Sequence, residues 1–129
     1  MLLVEDDADA RDIYEQTLGH EGFDVTTARS LAQALEVVER RRPDVVVLDC
    51  RLPDGDGLEL ARAWRRHPEM SGVPVVVLTA FSARQDVEAA LLAGADAFVV
   101  KPCTGAVLAK HIERVLAGMR PSQRLRRPV

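Results

Sequence analysis

Four short apolar runs along the chain stop at chemically active side chains. Leu2-Leu3-Val4 runs into Glu5-Asp6-Asp7, and Val45-Val46-Val47-Leu48 runs into Asp49. Val75-Val76-Val77-Leu78 ends at Thr79, and Phe98-Val99-Val100 ends at Lys101-Pro102. Short, continuously apolar and rich in β-branched residues, such runs read as strands covered on both faces of a sheet. A further segment, Phe23 to Ala28, alternates in character and carries Thr26 and Thr27, as an edge strand with one wetter face does.

Between the strands the pattern changes to a helical period. Ala10, Ile13, Tyr14, Thr17 and Leu18 form one apolar stripe closed by Gly19 and Gly22. Leu31, Ala34, Leu35 and Val38 form a second stripe. It is entered through Ser30-Leu31-Ala32-Gln33, which has capping-box spacing, and left through Arg40-Arg41-Arg42 before Pro43. Pro53 to Gly57 is a loop, and Leu58, Ala61 and Trp64 mark a third helix. Ser82 to Gln85 repeats the capping-box spacing before a fourth helix faced by Val87, Ala90 and Leu91, with Gly94 as its carboxyl cap. The last helix begins near Thr104 and carries Val107, Leu108, Ile112, Val115 and Leu116 on one side.

The order is therefore strand and helix in alternation, five times over. Right-handed crossovers turn that order into an α/β fold, a five-stranded parallel sheet with five helices on both faces. Only the second strand ends without an acid, hydroxyl or lysine, which an edge position in strand order 2-1-3-4-5 explains. The other four carboxyl ends then share one edge of the sheet, where such folds place their ligands.

At 129 residues the chain fits one domain, long enough to bury roughly two-thirds of its unfolded surface. No apolar stretch approaches the roughly 18 residues that cross a bilayer, and the start lacks the features of a signal peptide, so a cytoplasmic location without membrane contact is expected. The net charge is −3. Four arginines, Arg120, Arg124, Arg126 and Arg127, crowd the end without an acid among them, which leaves the body more acidic still and a poor nucleic-acid binder. Residues 121–129 read as a basic tail or linker. Cys50 and Cys103 would sit two strand spacings apart, roughly 9 to 10 Å, beyond the ~7 Å reach of a disulfide, so both are expected as thiols.

Chemistry concentrates at the shared edge. Acids after a strand can cap the next helix, and Asp7 or Asp9 fits that role. Three adjacent acids exceed what a cap needs, and side by side they repel unless a cation lies among them. Mg2+, with its preference for hard oxygen ligands, suits them. Asp49 adds repulsion for no packing gain unless it is both ligand and nucleophile toward a phosphoryl group. Thr79 is compatible with an ordinary strand residue, and Lys101 with a solvated strand end. Beside three acids, however, a lysine reduces their repulsion and can pair with a phosphate oxygen.

Glu5-Asp6, Asp49-x-x-Leu52-Pro53-Asp54-Gly55-x-Gly57, Thr79-Ala80, Gly94-Ala95-Asp96 and Phe98-x-x-Lys101-Pro102 together resemble the receiver domain of two-component response regulators. The resemblance covers the chain to about Arg120, making residues 1–120 the receiver domain, and implies a flavodoxin-like fold. It implies that Asp49 accepts phosphate from a histidine kinase or phosphotransfer protein in a Mg2+-dependent reaction. Asp6 would bind the ion directly, Glu5 through a water, and the Arg51 backbone carbonyl would be a further ligand. Asp7 matches no ligand position and fits the helix cap. Thr79 and Lys101 would each hold a phosphoryl oxygen, Lys101 before a cis Pro102, and Phe98 would turn inward when Thr79 moves. The face made by the fourth helix, fifth strand and fifth helix would then change its partner preference, with a homodimer as one outcome. Arg51 and Phe81 stand where the family tunes phosphoryl lifetime, and Cys103 stands where the family often has a bulky apolar residue.

The chain would act as a signalling switch, catalysing only its own phosphotransfer and dephosphorylation. As no room follows Pro121 for a DNA-binding domain, a single-domain regulator or a receiver from a longer protein is expected. The alternative is a Mg2+-dependent phosphohydrolase with an aspartyl nucleophile. Such enzymes typically carry an acid two residues after the nucleophile, where this chain has Arg51. A flavin or nucleotide binder would need a glycine-rich phosphate loop after the first strand, and none is present. His20, His67 and His111 read as solvated surface, Trp64 as packing, and Arg62, Arg65 and Arg66 as a solvated helix face.

Overall fold

The computed structural model describes residues 1–80 and 84–118, without the side chains of residues 84–87. Phe81, the Ser82 end of the second capping box, the Val87 side chain and the arginine-rich end therefore lie outside the described residues. Five parallel strands are present: β1 Leu2–Val4, β2 Thr26–Ala28, β3 Val46–Asp49, β4 Val75–Thr79 and β5 Ala97–Val100. They alternate with helices α1 Ala8–His20, α2 Leu31–Arg40, α3 Gly57–Arg66, α4 Arg84–Leu92 and α5 Gly105–Ala117. The sheet order is β2-β1-β3-β4-β5, the order expected from the chemistry of the strand ends. The loop after β3 contains a two-rung antiparallel ribbon, Arg51–Leu52 against Gly55–Asp56, that the residue pattern did not suggest.

Side-chain alternation in the central strands feeds two cores. Leu2, Val4, Val46, Leu48, Val75 and Val77 point to one face, where Ala34, Ala61, Trp64, Ala90 and Ala93 of α2, α3 and the α4 region cover them. Leu3, Val47, Val76, Leu78 and Val99 point to the other, under Tyr14 and Leu18 of α1 and Leu108 and Ile112 of α5. Each fully buried Val or Leu contributes about 1.5–3 kcal/mol, so the site at the sheet's edge stands on the best-buried part of the chain.

The differences from the sequence pattern lie at the margins. Strand β2 is three residues long, because the Phe23 amide is taken by the Leu18 carbonyl as α1 closes. Phe23 and Val25 nonetheless pack against the α1/α5-side core. The helical stripes are narrower than drawn: Ile13, Leu35, Leu91 and Val107 are largely exposed. In α1 and α5 the residue one position on, Tyr14 and Leu108, is buried over the sheet instead, and in α2 and α4 the residue one position before, Ala34 and Ala90. Gly94 ends α4 as expected, at a φ of 89° that only glycine adopts without strain.

Candidate functional site

Strand register brings the site together. Val4 pairs with Leu48, so Glu5 and Asp49 emerge one residue later on neighbouring strands. Asp49 pairs with Leu78, and Thr79 with Val100, so Thr79 and Lys101 leave the same edge on the next two strands. The expected cluster forms. Lys101 Nζ donates to Asp49 Oδ2 at 3.0 Å and also to Glu5 Oε1. Carboxylate oxygens of Glu5, Asp6 and Asp49 lie within 4.8 Å of one another.

The three carboxylates differ in exposure. Glu5 is fully buried, Asp49 nearly so, and Asp6 is open to solvent. Burial, with the nearby Asp49 carboxylate adding to it and Lys101 opposing it, pushes the Glu5 carboxyl up to about 7. Burial works against the Lys101 ammonium, but its bonds to Glu5 and Asp49 outweigh that cost and raise its pKa. Glu5 Oε2 is buried with no hydrogen-bond partner among the described residues. A buried acceptor of this kind, close to two further carboxylates, is a donor set that suits a hard cation.

The backbone around the cluster is fixed by local chemistry. Asp49 Oδ1 accepts the Arg51 amide at 3.1 Å. Gly57 donates its amide to the Cys50 carbonyl at 2.8 Å, and a β-carbon at Gly57 would run into the Asp49 carbonyl oxygen. Asp56 caps α3 by accepting the Leu58 amide. Asp7 caps α1, as expected, by accepting the Asp9 amide. Thr79 is buried at the end of β4, and its carbonyl accepts the Lys101 amide at 2.7 Å. The Lys101-Pro102 peptide is cis. Arg51 reaches Asp49 through its amide. Phe98 is half-buried against the α2–α4 core. Cys50 and Cys103 are not joined in a disulfide.

Several contributors were not visible in the residue pattern. Arg11 Nη1 donates to the Glu5 and Asp6 carbonyls, tying the turn after β1 to α1. Asp54, in the loop after Asp49, accepts the Leu31 and Ala32 amides alongside the Ser30 cap. Those bonds hold its carboxyl below the usual range. Gln33, the partner in that capping box, bonds the Arg29 amide rather than that of Ser30. Arg65 corrects an expectation: it is no solvated side chain but donates to the Gly94, Ser71 and Val73 carbonyls and to Asp96. Asp96 in turn accepts the Val75 amide at the start of β4. No signal short of the three-dimensional loop arrangement could have found these partners. His20 and His67 are exposed, whereas His111 is half-buried beside Arg65 and Asp96 in a cleft at the opposite edge of the sheet.

Comparison with known proteins places the chain. The family model of the response regulator receiver domain matches residues 1–113. The transcriptional regulatory protein AfsQ1 of Streptomyces coelicolor is 41% identical over 116 residues, covering 90% of this chain and 50% of that protein. The chain thus spans about half the length of this curated relative. The crystal structure of a signal receiver domain of a histidine kinase from Syntrophus aciditrophicus superposes with a TM-score of 0.84 at 33% identity, covering 93% of this chain and 91% of that one. A CheY-like receiver domain protein from Methanospirillum hungatei gives a TM-score of 0.83 at 28% identity, with coverages of 95% and 94%. Family match, sheet order and acid placement agree, and the chain belongs to the receiver-domain family of response regulators.

Proposed function

We propose that Asp49 is the phosphoacceptor of this receiver domain, taking its phosphoryl group from the phosphohistidine of a histidine kinase or phosphotransfer protein. The observation that carries this reading is the Asp49 carboxylate itself, nearly buried yet held between the Lys101 ammonium and the Glu5–Asp6 pair. In the transfer an Asp49 oxygen attacks phosphorus, a P–O bond forms, and the P–N bond breaks with its electron pair returning to the histidine. The protein's part is to place the carboxylate and balance charge.

The acidic cluster would hold Mg2+ through Asp6 and Asp49, with Glu5 acting through a water and the Arg51 carbonyl as a further ligand. When bound, the ion neutralises charge on the carboxylate and phosphoryl oxygens. Lys101 would exchange its Asp49 contact for a phosphoryl oxygen, and Thr79 would hold another. Such a domain is a signalling switch whose chemistry is confined to its own phosphorylation and dephosphorylation. The face of α4, β5 and α5 would carry the signal to a partner or a second copy. A cytoplasmic setting and the absence of direct nucleic-acid binding by this domain belong to the same reading. No helix among the described residues is long and apolar enough to cross a membrane. The phosphohydrolase alternative draws no support from the relatives, and Arg51 leaves it without a leaving-group acid.

An Asp49→Asn variant tests the assignment. The native chain, treated with a small phosphodonor and Mg2+, is expected to gain an acid-labile, hydroxylamine-sensitive phosphate that the variant lacks. Equal labelling of both would remove Asp49 from the role.

A further inference from the structure

Tyr14 is the chain's sole tyrosine. It lies in the middle of α1 and is 7% exposed, within a core otherwise built of aliphatic side chains such as Leu3, Leu18, Val99, Leu108 and Ile112. A buried phenol needs a hydrogen-bond partner. This one donates to the Cys103 carbonyl at 3.1 Å, 89 residues away in sequence, and its oxygen lies 3.7 Å from the Cys103 thiol. Burial, reinforced by the contact with Cys103, pushes the phenol up to about 12.

The acceptor belongs to the turn that carries Lys101. On the sheet side that turn is held by the Lys101 amide on the Thr79 carbonyl. On the helix side Thr104 caps α5 by accepting the Val107 amide at 3.1 Å. Between these two anchors, the Cys103 carbonyl is fixed from α1 by Tyr14. The approach of α1 is close: a β-carbon at Gly105 would run into Thr17, so the first turn of α5 sits directly against the helix that bears the phenol. Cys103 offers little bulk of its own at this point, and the tyrosine ring supplies both the volume and the tether.

We propose that Tyr14 is a positioning residue for phosphoryl transfer: its bond to the Cys103 carbonyl fixes the Lys101–Cys103 turn and so aims the Lys101 ammonium at Asp49. The inference rests on the role proposed for Lys101. A core tyrosine that only packs would need no hydroxyl, which makes Tyr14→Phe the informative change because it keeps the ring.

The test is a double-mutant cycle. Initial rates of Asp49 labelling by a small phosphodonor at saturating Mg2+ are followed by intact mass, at a temperature where circular dichroism shows every variant folded. Tyr14→Phe is expected to slow labelling by roughly three- to tenfold, the loss of one hydrogen bond expressed as a rate. In a Lys101→Ala background the same change is expected to have no further effect. Cys103→Ala, which keeps the carbonyl, is expected to label at the native rate. A Lys101→Ala variant as fast as the native chain would overturn the Lys101 reading and this inference with it. A slow Lys101→Ala variant beside an unimpaired Tyr14→Phe variant would overturn the inference alone, as would equal effects of Tyr14→Phe with and without Lys101. A Cys103→Ala variant as slow as Tyr14→Phe would assign the effect to the thiol contact and equally overturn it.

Discussion

Glu5 is the residue at which burial and charge conflict most sharply. Burial pushes its carboxyl up to about 7 from 4.5, so between those values the folded state holds a proton that the unfolded state has released. Stability from this group is therefore fully present below the unfolded value and is lost as pH rises toward 7. Urea melts in the presence of a chelator should show the native chain weakening across that window and a Glu5→Gln variant with a shallower slope. An unchanged slope would mean that Glu5 is not the group responsible. Gly57 makes the opposite kind of demand, for space. Gly57→Ala places a methyl group against the Asp49 carbonyl oxygen. It should cost about 1–3 kcal/mol of stability together with much of the phosphate uptake, measured by urea denaturation and intact mass. That Glu5, Asp6, Asp49 and Lys101 gather at one edge was legible in the sequence because each stands within two residues of the end of an apolar run. Tyr14 and Arg11 were not, since each acts on a backbone carbonyl, and carbonyls leave no mark in a sequence.

At the scale of elements, the strands were read most accurately because their apolar runs leave no choice of face. The helices were read as present but with stripes too wide. A spacing argument cannot tell that Tyr14 rather than Ile13 turns to the sheet, or that Ala90 is buried while Leu91 stays outside. Arg65 was misread for a related reason, as its partners are three loop carbonyls and an acid that only the closed fold brings near. It ties the end of α3 to the loop before β4 and to the turn before β5. Arg65→Met should therefore lower stability by about 1–3 kcal/mol in urea denaturation. It should leave phosphate uptake per folded molecule intact, because the site lies at the other edge of the sheet. A variant as stable as the native chain would show that water replaces the guanidinium without loss.

Across the whole molecule, the sheet acts as a rigid plate that holds repelling groups at one edge. The strand order was readable because the one edge strand inferred from chemistry, β2, lies where its chemically silent end does no harm. Capping by Asp54 and the ribbon after β3 were beyond reach, since both depend on how the Asp49 loop folds back onto α2. A cation bound in the acidic cluster stabilises only the folded chain. Added Mg2+ should therefore raise the melting temperature of the native chain more than that of an Asp6→Asn variant, and equal shifts would place the ion elsewhere. Asp49 as phosphoacceptor is tested by labelling the native chain with a small phosphodonor, reducing the acyl phosphate with borohydride, and mapping the product by peptide mass spectrometry. Homoserine is expected at position 49 and at no other aspartate. Reduction at another aspartate, or phosphate on a residue that borohydride leaves untouched, would contradict it.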